Sequence, residues 1–347
     1  MALRIGIAGA GVLGRLLAFT LSRAGHDVQV FDPASGPGPR AESGSQAAGW
    51  TAAGMLSPVA ELERAGSEVF ALGVRSCQLW PQIVQTLSEP VALHMHGSLL
   101  LAHRSDAGAA QRVVGVLQAK SDAPYQPQPL TMDALRALEP SIQGPALAWL
   151  LPSEGQIHPV QALQALAAQA TAQGVQWYWG STVTAVDAGA IHASETQHRF
   201  DHVFDVRGVG AKPALPVRGV RGEVFWLHAP GVSLHRPVRL LHPRHSIYMV
   251  PRPGDVIVVG ASEIESEDRS PVSLRSTLEL LSAAHSVMPA LAEARVIHTE
   301  TNLRPALPDN LPAIRHSARK TEINGLFRHG WLIAPALVEQ ALQELNL

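Results

Sequence analysis

The sequence predicts an α/β fold: a Rossmann-type nucleotide-binding domain into which an α+β domain built on a mixed sheet is inserted. Three observations predict it. A G-x-G-x-x-G turn lies between an apolar strand and a helix at the very start of the chain, and an acid closes the next strand. Farther along, β-rich material interrupts strand–helix material twice, the pattern of a discontinuous domain carrying an insertion.

The opening unit follows from its residue types. Residues 3–8, with Ile5 and Ile7, read as a short buried strand. Gly9 permits a tight turn, and Gly11 lets backbone approach a pyrophosphate. Gly14 lets helix and strand pack closely. Val12 and Leu13 fall at the helix start, where free N–H groups and a partial positive charge favour phosphate. The helix continues over 15–24 and Gly25 ends it. A second strand over 28–31 closes on Asp32, 18 residues after Gly14 and placed to accept hydrogen bonds from a ribose.

Beyond Asp32, residues 33–39 alternate Pro, Gly and small residues and form a loop. Small residues then dominate from Ser43 through Ser45 to Ala52, Ala53, Gly54 and Met55. Helices are expected over 65–86 and 106–119, with paired strands over 92–101 between them. Thr131 is a candidate N-cap of a short helix ending at Leu138-Glu139-Pro140. His158-Pro159 starts a helix that runs to Gln173 and stops at Gly174, proline standing at the favoured first position. Strands are expected over 175–179, 181–187 and 202–206. A β-rich stretch covers 217–261, in which residues 251–255 turn a hairpin. A helix near 272–287 and a C-terminal helix over 335–345 complete the reading.

Composition narrows the function classes. The chain has 347 residues, enough for two domains, with 46% hydrophobic and 16% charged residues. A formal charge of −2 without a basic run gives no reason to expect nucleic acid. The single cysteine, Cys77, excludes an internal disulfide and fits a reducing compartment, so a cytoplasmic protein is expected. The apolar N-terminus is used by the nucleotide-binding strand, and no apolar run is long enough to span a membrane. His94 with His96, and His242 with His245, form pairs that no further ligand completes at a recognisable spacing; no metal site is expected.

Taken with their order and spacing, these motifs resemble the FAD-dependent amino-acid oxidases of the D-amino acid oxidase and glycine oxidase type. The likeness rests on the glycine turn, the Ala52–Leu56 block, Leu138-Glu139-Pro140 and Gly155-Gln156-Ile157. It extends through Val220-Arg221-Gly222-Glu223-Val224, Tyr248-Met249-Val250-Pro251-Arg252 and Val259-Gly260-Ala261-Ser262. It ends with Leu303-Arg304-Pro305, Leu311-Pro312 and the segment from Phe327 to Pro335. The resemblance implies an FAD-binding domain over 1–85, 153–216 and 299–347 and a substrate domain over 86–152 and 217–298.

It also implies roles. Arg304 matches the arginine that grips the substrate carboxylate, a task suited to a planar, always-charged fork. Tyr248 matches a substrate-pocket tyrosine; on a strand it is equally at home as a packing residue. Arg328 with Gly330, Trp331 and Leu332 matches the segment beside the flavin's pyrimidine edge, where N–H groups or a cation stabilise negative charge. Val183 matches a backbone contact to the adenine, and Gly208 belongs to the cofactor set. Leu326, Asn302 and His158 depart from the family pattern, which has His, Gly and Asp at those places.

The implied reaction is oxidation of glycine or another small amino acid to an imine, feeding thiazole formation for thiamine. The resemblance implies FAD as the cofactor and O2 as the acceptor, and the FAD is expected to be non-covalent, since Cys77 lies outside every motif. Two alternatives stay open: a D-amino acid or sarcosine dehydrogenase passing electrons to a quinone or protein, and a flavin-binding subunit of a larger complex. Nothing in the sequence fixes the number of subunits, and a homo-oligomer stays open.

Overall fold

The computed structural model describes residues 2–39, 47–242 and 246–347. In order, the first elements are β1 (Arg4–Ala8), α1 (Val12–Arg23), β2 (Asp27–Asp32), α2 (Ala48–Thr51), β3 (Met55–Leu56), α3 (Pro58–Glu61) and α4 (Ser67–Val84). Next come β4 (Leu93–His94), β5 (Ser98–Ala102), α5 (Ala107–Lys120), β6 (Gln128–Leu130), α6 (Met132–Leu138), β7 (Leu147–Leu151), β8 (Gly155–Ile157) and α7 (Pro159–Ala172). β9 (Gln176–Trp179), β10 (Val183–Asp187), β11 (Ala190–Ala193), β12 (Thr196–Arg199), β13 (His202–Asp205) and β14 (Arg218–His228) follow. The chain ends with β15 (Val238–Leu241), β16 (Ser246–Arg252), β17 (Val256–Gly260), α8 (Leu274–Val287), β18 (Arg295–Ala306), β19 (Ala313–Ser317), β20 (Lys320–Asn324) and α9 (Gly330–Leu345).

One sheet has the order β19-β20-β13-β1-β2-β9 and is parallel except for the β19–β20 pair. Because β1 is central, Ile5 and Ile7 are fully buried, together with Leu16 and Leu17 of α1, Leu163 and Leu166 of α7, and Ile333 of α9. Each such side chain contributes about 1.5–3 kcal/mol by leaving water. This core fixes the glycine turn at the carboxyl end of β1, with β2 and β13 on either side.

The larger sheet has the order β18-β14-β17-β16-β15-β5-β7-β6, and it is mixed: only β15–β5 is parallel. Alternation along its strands sorts the side chains. Phe225, Met249 and Val259 pack with Leu280, Ala284 and Val287 of α8. Val224, Tyr248, Val250 and Val258 face the other way, onto Ala53 and Met55. The same alternation therefore covers the sheet with a helix on one side and brings Tyr248 to the small-residue turn on the other.

Besides the stretch 92–101, whose two strands do not pair with each other because β4 joins β8 while β5 joins β15 and β7, two elements differ from the sequence reading. The last helix starts at Gly330 rather than near 335, so Pro335 lies inside it. Proline removes the N–H that would have bonded the Trp331 carbonyl. That carbonyl instead accepts from the Trp80 indole at 2.9 Å, and the Ala336 N–H donates to the Ser76 hydroxyl at 3.1 Å. The second difference is β18, a twelve-residue strand where only the Leu303-Arg304-Pro305 motif stood out. It pairs along β14 but forms the outer edge of its sheet, where Pro305 is tolerated. Its first four residues are exposed and carry no alternating pattern, which hides it in the sequence. The hairpin turn is also tighter than expected, since Pro251 and Arg252 pair within β16.

Candidate active site

A cavity of about 500 Å³ runs from the glycine turn to the larger sheet. At one end lie Gly9, Gly11, Val12, Leu13 and Asp32; Ala52, Ala53, Gly54 and Met55 line it midway; Tyr248, Arg304 and the 326–332 segment close the other end. The glycines there have different jobs. Gly9 has φ +105°, and a Cβ on Gly14 would lie 1.8 Å from the Gly9 carbonyl oxygen. Among the described residues Gly11 is crowded by nothing closer than the Ala47 Cβ at 3.5 Å, so with respect to them its missing side chain leaves the cavity open rather than relieving a clash. The N-terminus of α1 has no side-chain cap and no acid in its first turn, which leaves its first N–H groups for a phosphate.

Asp32 sits at the carboxyl end of β2. Its carboxylate accepts from the Ala10 N–H at 2.7 Å and the Ala34 N–H at 2.8 Å, and its remaining lone pairs can still take a ribose hydroxyl. Val183 is buried nearby, and its carbonyl accepts from Arg207 at 3.1 Å, itself paired in two bonds with Asp205. Gly208, at φ +55°, also lines the cavity and accepts from the Asn324 amide. Ser45 lies outside the described residues.

Gly54 needs its glycine: φ is +66°, and a Cβ would fall 2.1 Å from the Ile157 carbonyl oxygen. Ala53 is held from behind, its carbonyl accepting from the buried Arg252 guanidinium. Burial brings the Arg252 pKa down to about 10. Trp331 fixes the preceding turn by donating to the Gly49 carbonyl at 3.0 Å while stacking on Trp80.

Arg304 stands on β18 opposite Val220. Its guanidinium donates to the carbonyls of Ser262 at 3.0 Å and Arg221 at 3.4 Å, and to no carboxylate among the described residues. Gly222 makes the room, since a Cβ there would lie 2.6 Å from the guanidinium carbon. Burial lowers the Arg304 pKa, with Tyr248 and Glu263 opposing the shift. Across the sheet, Tyr248 lies over Gly260, and burial pushes its phenol up, so it stays protonated.

These residues can be tested against the FAD that the motifs imply. A bare Gly11 and an uncapped helix start suit a pyrophosphate, and the small Ala52–Gly54 run suits a flat ring. The residues fit.

The chain also matches, over residues 4–341, the sequence pattern of the family described as FAD dependent oxidoreductase. The chain belongs to that family. A relative in Rhizobium etli, ThiO, assigned to thiamine biosynthesis as an oxidoreductase, is 38% identical over 99% of this chain and 96% of its own. The glycine oxidase of Geobacillus kaustophilus is 25% identical over 95% of this chain and 89% of its own. The crystal structure of glycine oxidase from that organism has a TM-score of 0.84 to this chain, covering 99% of it and 95% of the solved chain at 24% identity.

In this FAD-dependent oxidoreductase the end of the cavity that holds Tyr248 and Arg304 also carries a charge network that the sequence reading missed. Glu61, at the end of α3, is buried and accepts from Arg239 at 2.8 Å, Arg328 at 2.9 Å and the His329 ring at 2.9 Å. Burial raises the Glu61 pKa, but Arg239, the His329 hydrogen bond and Arg328 outweigh it and hold the carboxyl well below the usual range. Arg328 also reaches Glu263 at 3.2 Å, so its charge is committed to two carboxylates. A glutamate after the apolar run Pro58-Val59-Ala60 was the available signal, but its partners are 178 and more residues away.

The three departures from the family pattern find local reasons. Asn302 donates to the Thr51 hydroxyl at 2.9 Å and to the Ala47 carbonyl at 3.4 Å, tying β18 to the flavin-side turn. His158 caps α7 by accepting from the Gln161 N–H at 3.4 Å. Burial and Arg252 bring its pKa down to about 4, which keeps the ring neutral and able to accept. Leu326 is buried at the cavity wall and adds apolar surface there. His94 and His96 lie with ring centroids 5.8 Å apart, and no group of three metal-binding side chains occurs among the described residues. Among the described residues no helix is long and apolar enough to cross a membrane.

Proposed function

We propose that this FAD-dependent oxidoreductase oxidises glycine or another small amino acid to its imine, with O2 as electron acceptor, in the assembly of the thiamine thiazole. The observation that carries the reading is Arg304: a guanidinium largely withdrawn from water in the cavity, held by two carbonyls and without a carboxylate of its own. The similarity to ThiO and to a glycine oxidase supports both the substrate class and the setting.

Non-covalent FAD, when bound, would supply the hydride acceptor for the substrate α-hydrogen. Arg304 pairs with the substrate carboxylate, and Tyr248, a protonated phenol beside it, packs against or bonds the same molecule. Arg328, paired with Glu61, and the N-terminus of α9, with Gly330, Trp331 and Leu332, would stabilise negative charge on the ring. Gly9, Gly11, Val12, Leu13 and Gly14 would hold the pyrophosphate, Asp32 the ribose and Val183 the adenine, and Ala52–Met55 and Gly208 would complete the cradle. Glu61 and Glu263 are both held by guanidiniums, so neither stands ready to remove a proton. The substrate therefore binds as its free amine, and water attacks the imine after release.

The domain boundaries belong to the same reading: residues 1–85, 153–216 and 299–347 bind the cofactor, and 86–152 and 217–298 form the substrate side. The single cysteine fits a cytoplasmic home. The test of the acceptor is peroxide. Glycine supplied in air should yield hydrogen peroxide in step with substrate loss. If substrate bleaches the flavin, air restores it only over many minutes and a quinone restores it at once, the enzyme is a dehydrogenase.

A further inference from the structure

Among the charged groups that line the cavity, beside Arg64, Arg269 and Glu63, are three guanidiniums, of Arg239, Arg304 and Arg328, and the two carboxylates, of Glu61 and Glu263, whose charges act on them. Arg252 is close to Tyr248 but turns its guanidinium to the carbonyls of Ala53 and Pro251. The two carboxylates are spent unevenly. Glu61 takes Arg239 on one oxygen and Arg328 and His329 on the other, while the half-exposed Glu263 adds a second contact to Arg328. Glu61 also joins three parts of the chain: α3, β15 and the turn before α9. One guanidinium, Arg304, is left with carbonyl partners only.

We infer that Glu61 is a positioning residue that sets substrate class: by holding Arg239 and Arg328 it leaves room for one substrate carboxylate, at Arg304, and excludes amino acids with a second anionic group. The inference rests on the reading of Arg304 as the carboxylate grip. A buried carboxylate between two guanidiniums is screened little by solvent, so its removal acts strongly on any anion entering the cavity. Glu61→Gln keeps the shape and one of the two accepting oxygens, and removing the negative charge frees one net positive charge at Arg239 and Arg328. That charge then awaits a second carboxylate.

The holoenzyme is titrated with acetate and with malonate, followed by perturbation of the flavin absorbance and by calorimetry. Wild type should bind malonate no tighter than acetate. In Glu61→Gln malonate should gain about tenfold relative to acetate, and Glu61→Gln with Arg239→Gln, which restores the charge balance, should return the wild-type ratio. An unchanged ratio in folded, FAD-loaded Glu61→Gln overturns the inference. If that variant does not retain FAD, Arg239→Gln decides: it should weaken both anions alike. A loss confined to malonate would show that Arg239 already serves a second carboxylate, against the inference. Acetate binding that survives Arg304→Met overturns the Arg304 reading and the inference with it, whereas an unchanged malonate ratio overturns the inference alone.

Discussion

A guanidinium taken out of water with no carboxylate beside it is costly unless the ligand brings the anion. Arg304 is in that position, and its truncation should cost far more with substrate than without. Arg304→Ala should keep FAD and lose about 2–5 kcal/mol of substrate interaction, a fall of roughly 30-fold to several-thousand-fold in kcat/KM. Arg304→Lys should recover only part, because an ammonium lacks the fork. Near-normal steady-state kinetics in the alanine variant would move the carboxylate elsewhere. The glycines of the first turn separate in the same way. A bulky residue at Gly11 meets little protein, so Gly11→Val should fold and lose its yellow colour. Gly14→Ala places a methyl group against the Gly9 carbonyl and should lower the melting temperature instead. Circular dichroism melts and flavin content, measured on both, distinguish the two roles; equal FAD retention in Gly11→Val would contradict its part in the cradle. At this scale Gly9, Gly14, Gly54 and Arg304 were legible, because each belongs to a short motif. Glu61, Arg239 and His329 were not, because their meaning lies in contacts between residues far apart in sequence.

The start of α7 shows what an element tolerates. Where the family pattern has an aspartate this chain has His158, and the ring still caps the helix because burial keeps it neutral. The sign of its pH effect follows. In the unfolded chain the imidazole titrates near its usual pKa of about 6.5, whereas in the fold it holds off until about 4. Between those values the unfolded state binds the extra proton, so stability falls as pH falls through that window. His202, bonded to the Thr321 hydroxyl and also lowered to about 4, adds in the same direction. Replacing His158 with Asn keeps a capping oxygen and removes the titration. The drop in melting temperature from about pH 7 to about pH 5 should be smaller in His158→Asn than in wild type, and an equal drop would remove His158 from this account. Helix α7 itself was legible from His158-Pro159 and Gly174. Helix α9 was misread because Pro335 signals a start, and only the tertiary donors Trp80 and Ser76 make it an interior residue.

For the whole molecule, the order of motifs revealed the fold class and the cofactor before any contact was known. The β1–α1–β2 unit is local, and its glycines and Asp32 lie within one stretch of chain. The pairing of β18 with β14 and the parallel junction of β15 with β5 are long-range facts that no local pattern records. With Glu61 and Glu263 both held by guanidiniums, the substrate itself must bring the free amine: kcat/KM should rise with pH through the pKa of the substrate amine and then level. A fall on the alkaline side before that plateau would point to an acid in the cavity that must stay protonated. The central claim, oxidation of a small amino acid by an FAD held over Arg304, is tested most directly by anaerobic mixing of the yellow holoenzyme with glycine. Full bleaching of the flavin, with one glyoxylate and one ammonia formed per FAD after hydrolysis of the imine, is the predicted result. A flavin that keeps its colour with glycine and with every other small amino acid, while remaining reducible by dithionite, would contradict the account.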